Sequence, residues 1–591
     1  KFWKGLTNTQ NVLWLVDNEL WDDVIVPDVL ANRKAGDKFP HIFGMKLRTP
    51  EEFSEHKGIV APKLWEDEHH ILYSKYKNDV EKYNRIAKSN KVVFKQDCDA
   101  AHFYKNKPFY LTVQPDSRGR SYYIPHFNPQ REDRMGAVFS FGEFKPLGED
   151  GMISIAAHLA NCGSFEYGEN VYGIPPKTKV DKVIEEYKVA WVNTNWHWIH
   201  DTVEDFKKGS HLKHSKWRQA DKPYHFLKAA KEYFRAIKFK EEGGNLEDFM
   251  SNLPCALDSS SSGIQIYACM LRSYADAFIS NLVYKEGQIL ANDVYSLIAN
   301  SVDKIIDKHL IEYSEFEEGV EAEKYKWAKI WKAFGVSRKV VKRPIMTSLY
   351  SATLGGHTIM IFEDTIEPQT FKVLEEEIDE NPFGDSQQHY KVASYLARLI
   401  NEAIDEELSE PRKAMQTLQK LAEVMANEGK SVKYITPAGF PFINEVYEED
   451  SIKLDLYLTD AKLHLKRKQP TITFDTDEID VDKSITKICP NFVHSLDSTL
   501  LVLAIIEFIR RGGTSILTNH DSFATHPSDV ELLKTILLET RVEMFTKNRP
   551  LKDIIEYNKM MSDNPNLIPE APADGDFNLA EELPKAVFAD S

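Results

Sequence analysis

The 591-residue sequence predicts a mostly helical α+β fold organised around a small antiparallel sheet. Three observations predict it. Long stretches place apolar residues at helical spacing, among them TQNVLWLVDNELWDDVI and LWEDEHHILYSKYKNDVEKYNRIAK before residue 107. Short β-like runs bounded by Gly and Pro interrupt them from Pro108 to about Glu149, over 431–475 and over 515–525. The chain also exceeds what one hydrophobic core supports, so at least two packed subdomains are expected.

Along the chain, residues 1–107 read as helices. PFYLTVQPDSRGRSYYIPHFNPQ and AVFSFGEFKPLG read as short strands, and helical periodicity returns from Ile153 to Lys240. KEEGGNLED at 240–248, with its paired glycines, reads as a flexible junction. LPCALDSSSSG is a strand running into the helix IQIYACMLRSYADAF, and residues 285–430 are mostly helical. Hairpins are expected in KYITPAGFPFINEVY, IKLDLYL and HLKRKQPTITF. The longest apolar run, Leu500 to Ile506 and on through Phe508-Ile509, is broken by Glu507. It is too short to span a bilayer and reads as a buried helix. In SILTNHDSFATHP, two short strands flank His520-Asp521, an ionisable pair where a hairpin usually carries Asn-Gly or Asp-Gly. Asp suits turns because its side chain bonds nearby backbone; the sharper alternative is a metal ligand presented at the tip.

Composition narrows the function classes. A content of 42% hydrophobic and 28% charged residues is ordinary for a soluble globular protein. The opening KFWKGLTNTQ lacks a signal peptide's apolar core. Five scattered cysteines without a CxxC indicate neither a disulfide framework nor a cysteine zinc site, and a reducing, cytoplasmic location is expected. The net charge of −17 argues weakly against nucleic acid as a partner. The signs are unevenly spread, however: basic stretches at 207–218, 337–343 and 463–468 alternate with acidic ones. Most such runs are solvated faces, but these leave room for a positively lined channel within an acidic shell.

Three segments carry chemistry. Asp258 ends an apolar strand in LPCALDSSSSG, 521 − 258 = 263 residues before Asp521. Alone it reads as a strand-end cap; paired with Asp521 it suits Mg²⁺, which takes one or two carboxylates plus substrate phosphates. Two such ions stabilise both the attacking and the leaving oxygen of a phosphoryl transfer. In SRKVVKRPIMTSLYS, Arg338, Lys342, Met346 and Tyr350 recur every four residues and share one helix face. Two cations followed by a thioether and a phenol suit a triphosphate at one end and a sugar and base at the other.

Together, Asp258 with SSSSGIQ, R338-xxx-K342-R343-xx-M346-xxx-Y350, and H520-D521-S522-F523 resemble motifs A, B and C of single-subunit DNA-directed RNA polymerases of the bacteriophage and mitochondrial type. Further matches follow in that family's order: D116-S-R-G-R120 with FNPQ at 127–130, T436-P-A-G-F-P441, P490-N-F-V-H-S-L-D497 and an acidic, aromatic C-terminus. The resemblance implies template-dependent synthesis of RNA from ribonucleoside triphosphates on DNA, with two Mg²⁺ ions. It implies that Asp258, Asp521 and the carbonyl of Ser259 bind metal. Arg338, Lys342 and Arg343 would hold the triphosphate, with Lys342 also donating a proton to pyrophosphate. Tyr350 and His494 would sense the ribose 2′-hydroxyl. Arg118, Gly119 and Arg120 would contact nucleic acid, and Lys145 would reach the phosphates. The implied architecture is a cupped right hand: residues 1–15 a remnant of an N-terminal region, 16–107 a thumb-like arm, and 108–285 with 495–591 a palm. Residues 286–494 form fingers that include the hairpin loop 431–475.

Ser351 stands where this family usually has Gly, and Pro344 lies inside the motif B helix, where a kink at 340–344 is expected. The 115 residues before Asp116 are fewer than relatives carry, so a partner protein, a second polypeptide or single-stranded DNA is expected to support initiation. The 441–470 hairpin region matches the family's promoter-reading loop poorly. Two alternatives remain: a related DNA polymerase, which usually carries Glu where this chain has Ser522, and a nonenzymatic nucleic-acid-binding protein of the same fold.

Overall fold

The computed structural model describes residues 1–33, 41–171, 173–207, 216–374, 376–459 and 465–590. Most of the basic stretch at 207–218, and the start of that at 463–468, lie outside the described residues. The chain is mostly helical, with antiparallel sheets of two or three strands.

Buried side chains gather into two large cores and a small third one. The first joins residues between Phe2 and Leu257 to Ala438, Phe440 and a stretch from Leu501 to Leu537. The second joins residues between Ile264 and Tyr434 to Ile488–Leu500 and to Met544 onward. Helix Val481–Arg510 threads both, its Ile488–Leu500 half in the second core and its Leu501–Phe508 half in the first. At 30 residues it outruns the apolar run read from the sequence. Among the described residues it is the one helix long and apolar enough to cross a membrane, yet most of its apolar window is buried within the protein. The 37-residue helix Asp67–Phe103 begins in the small core and ends in the first, with Lys82 paired to Glu367 on the way.

Two local expectations are corrected. LWLV, within the first amphipathic stretch, is a strand (Leu13–Val16) pairing with Phe109–Tyr110 and Phe139–Phe141. Its neighbours bury Trp14 completely, and Asp17 then caps the next helix by accepting from the Leu20 N–H at 3.0 Å. Long-range pairing here overrides helical periodicity. KEEGGNLED is an ordered helix end: the Gly244 N–H donates to the Phe239 carbonyl at 2.9 Å, Gly243 takes φ +96°, and Phe249 packs on Phe239. Those glycines make a left-handed cap rather than a linker. All five cysteines are free.

The sheet that matters for function has the order Ile516–Asn519, Ser522–Thr525, Cys255–Asp258, all antiparallel. Alternation sends Cys255 and Leu257 into the first core and leaves Ala256 and Asp258 on the open face. That face lies where the two large cores meet. Elsewhere the expected hairpins form, and Tyr447–Lys453 with Thr471–Ile479 makes a ribbon that leaves Ile452, Ile472 and Phe474 exposed.

Candidate active site

Ser522 lies directly opposite Asp258, which puts Asp521 one step beyond it at the hairpin tip. The Ser259 N–H donates to the Asp521 carbonyl at 3.4 Å, continuing the ladder past the last pair. A two-residue hairpin turn needs positive φ, and His520 supplies it at +60°. His is among the residues that tolerate this region, which is why His-Asp serves where Asn-Gly is usual. The hairpin is held from outside by Gln130, whose amide donates to the carbonyls of Ser121 (3.0 Å) and Thr518 (2.9 Å).

Asp258, Ser259, Asp521, Arg338, Lys342 and Tyr350 all line one cavity of about 590 Å³, a size that suits a nucleotide-scale ligand. Burial, followed by the charges of Asp497 and Asp258, pushes the Asp521 carboxyl up to about 7. A divalent cation would offset that negative field, so the donor set fits Mg²⁺: a carboxylate at a strand end and one at the neighbouring hairpin tip, with room for phosphate oxygens. Among the described residues no group of three or more His, Cys, Asp or Glu side chains forms a closed metal cage.

The cationic wall is helix Arg338–Ser348, which continues through Pro344. Arg338 is not free: its Nε donates to Asp293 Oδ2 at 2.8 Å and its guanidinium lies over the Tyr295 ring at 4.9 Å. Burial and the charge of Arg338 lower the pKa of the Lys342 amine. Tyr350 lies past the helix end, not on it, yet still faces the cavity. A Schellman turn places it there: the Ala352 N–H donates to the Thr347 carbonyl at 3.1 Å and Ser351 takes φ +62°. This explains a glycine preference at position 351. Ser351 keeps a compensating bond, accepting from Gln419 Nε2 at 3.1 Å. Ser351→Ala, which keeps the strained φ and loses that bond, is expected to be less stable than Ser351→Gly by about 1–2 kcal/mol. Urea-unfolding midpoints of the two variants check this.

Tyr350 and His494 meet with ring centroids 4.6 Å apart. Arg118 Nη1 lies 3.1 Å from His494 Nδ1. A guanidinium has no acceptor, so Nδ1 must accept and the neutral ring carries its proton on Nε2. Burial and the charges of Arg120 and Arg118 push the His494 pKa down to about 2, keeping the ring neutral. Gly263 makes room for the phenol, since a Cβ there would come within 2.8 Å of the Tyr350 hydroxyl.

The remaining predicted residues do not line the cavity. Arg118 is held by Asp116, whose Oδ2 accepts from its Nε at 2.8 Å. Arg120 donates to Asp497 Oδ2 at 2.7 Å, and Ser262 donates to the other oxygen at 3.1 Å. Gly119 (φ +86°) closes the 116–120 turn against Ser498, Phe2 and Phe440. Lys145 is clamped by both oxygens of Asp529, at 2.6 and 2.7 Å. Arg343 points outward to Asp364 at 2.8 Å and Glu363 at 3.6 Å. The structure therefore brings neither Lys145 nor Arg343 to the phosphate wall, because each already neutralises a carboxylate elsewhere.

Sequence reasoning assigned no role to Asp293, Asp497 or Asp590. Asp497 had a signal: it is the one carboxylate between Asp482 and Glu507 of an apolar helix, where a buried acid needs a partner. Asp590 accepts from Ser259 Oγ at 2.6 Å and is paired with Arg541, which also donates to Ser259 Oγ at 3.2 Å. Nothing local in the sequence announces that contact.

Comparison with known proteins agrees with this geometry. A family profile described as DNA-dependent RNA polymerase matches residues 145–578. The chain is 29% identical to T7 RNA polymerase of Escherichia phage T7 over 513 residues, 82% of this chain and 54% of that protein. It is 27% identical to the DNA-directed RNA polymerase of Enterobacteria phage K11, covering 98% of this chain and 62% of the relative. It is 28% identical to the chloroplastic/mitochondrial DNA-directed RNA polymerase 2 of Arabidopsis thaliana, covering 90% and 48%. The chain thus spans about half to three-fifths of the length of these curated relatives. With the profile covering well over half of its residues, the chain belongs to the DNA-dependent RNA polymerase family.

Proposed function

We propose that the chain synthesises RNA on a DNA template from ribonucleoside triphosphates. The observation that carries this is one cavity lined by the Asp258/Asp521 pair, the Arg338/Lys342 face and Tyr350, whose ring packs on His494 behind it. Asp258, Asp521 and the Ser259 backbone would hold Mg²⁺, which when bound neutralises charge on the attacking and leaving oxygens. Arg338 and Lys342 bind the triphosphate, Arg338 pre-oriented by Asp293. Lys342 holds a proton at Nζ that its lowered pKa makes easier to give to the leaving pyrophosphate. Tyr350 and His494 sit where the ribose is read, and Arg118 keeps the His494 donor on Nε2. In the hand-shaped arrangement, 16–107 act as thumb, 108–285 with 495–591 as palm and 286–494 as fingers. Arg120 holds Asp497, whose charge reaches Asp521, and would contact the nucleic acid near the acidic pair.

Runoff synthesis with the four ribonucleotides and Mg²⁺, on denatured and duplex templates, tests the reading; no template-dependent product on either template overturns it. Tyr350→Phe is expected to keep synthesis within about tenfold while discrimination against deoxyribonucleotides falls by about 1–3 kcal/mol, the cost of one unmade hydrogen bond. Competition between ATP and dATP on a primed template measures it, and unchanged discrimination removes Tyr350 from that role.

A further inference from the structure

The cavity has a third wall that the reading above leaves unassigned. Lys179, Lys182, Asp221 and Lys222 line it, the last two just ahead of helix Pro223–Glu241. Lys182 is engaged by Asp181 at 3.1 Å. No carboxylate among the described residues comes within the 4.0 Å ion-pair distance of Lys222. The nearby Asp133 is occupied: it accepts from the N–H groups of Tyr224 (2.9 Å) and His225 (3.3 Å), and its Oδ1 lies 2.6 Å from His225 Nδ1.

This wall faces the phosphate end of the cavity rather than the sugar end. The charges acting on Lys342 are Arg338, Asp258, Lys182 and Asp221, two of them on the third wall. Those acting on Tyr350 are Asp497, Arg120, Asp521 and Tyr295, none of them on it. Asp258 is also foremost among the charges acting on Lys222, as it acts on Lys342, and all three line the one cavity.

We propose that Lys222, on the third wall of the cavity that Lys342 also lines, holds the product pyrophosphate. The proposal rests on the nucleotidyl-transfer reading and extends it. Cleavage leaves a new anionic oxygen on the β-phosphorus, so the product carries charge that the intact triphosphate does not present at that end. An uncommitted ammonium is suited to that oxygen as a point charge. Arg338 and Lys342 face the intact triphosphate, and the third wall lines the same end of the cavity.

Inhibition of runoff synthesis by added inorganic pyrophosphate, with KM for ribonucleotides measured alongside, tests it in wild type, Lys222→Gln and Lys222→Arg. In Lys222→Gln the inhibition constant for pyrophosphate is expected to rise at least fivefold more than KM does, and in Lys222→Arg the two are expected to stay near wild type. Equal proportional shifts in both constants, or no shift in either, overturn the proposal. An inactive wild type would instead overturn the polymerase reading, so the two failures are distinguishable.

Discussion

Asp521→Asn is expected to lower RNA synthesis about a thousandfold while template affinity stays within about threefold. Metal-borne neutralisation of the developing charge contributes several kcal/mol to the transition state, and each 1.36 kcal/mol is tenfold in rate. The side chain is nearly isosteric, and the hairpin is held by Gln130 and the strand ladder rather than by this carboxylate. Single-turnover extension and fluorescence anisotropy with labelled template check the two halves, and parallel loss of binding would make Asp521 a structural residue. A pH signature accompanies it. Because burial and two neighbouring acids raise the Asp521 pKa to about 7, the folded chain holds a proton that the unfolded chain has released. Without metal, this group's contribution to folding stability therefore falls as pH rises from the ordinary carboxylate range toward 7. Mg²⁺ needs the ionised form, so it is expected to raise the melting temperature clearly at pH 8 and little at pH 5.5. In Asp521→Asn that difference should shrink, as thermal melts with and without Mg²⁺ will reveal.

Asp590→Ala is expected to destabilise the chain by about 3–5 kcal/mol, the usual result of leaving one member of a buried ion pair uncompensated. Arg541 and Asp590 are each only 3% exposed, and their network includes Ser259 in the cavity wall. The Ser260 N–H also donates to the Ala589 carbonyl at 3.2 Å. The loss should therefore reach synthesis as well as stability. The double variant Arg541→Met/Asp590→Leu removes both charges and is expected to recover most of the stability, since apolar replacement of a buried pair is often neutral. Urea-unfolding midpoints of wild type, single and double variants decide this; a single variant as stable as wild type would show that water already solvates the pair.

The chemistry was readable where it lies in short contiguous patterns. The apolar strand ending at Asp258, the two strands flanking His520-Asp521 and the four-residue rhythm from Arg338 are local signals, and each element forms where its pattern is. Helical spacing put Tyr350 on a helix that ends two residues before it, at Ser348, although the turn closed by a left-handed Ser351 still leaves it lining the cavity. LWLV misled because its apolar rhythm fits either period until partner residues 109 − 14 = 95 and 141 − 14 = 127 positions away bury Trp14.

Which charges are spoken for was not readable. Lys145 and Lys342 look alike as cations near a glycine-rich or basic motif, yet one is clamped by Asp529, 384 positions away, and the other faces the cavity. Arg120 meets Asp497 across 377 positions, and Ser259 meets Asp590 across 331. Residue type and spacing settle what a side chain is able to do and which element carries it, because those depend on neighbours within a few residues. Whether a charge is left available for a ligand depends on a counter-charge brought in by packing the two cores together, and no local pattern encodes that distance.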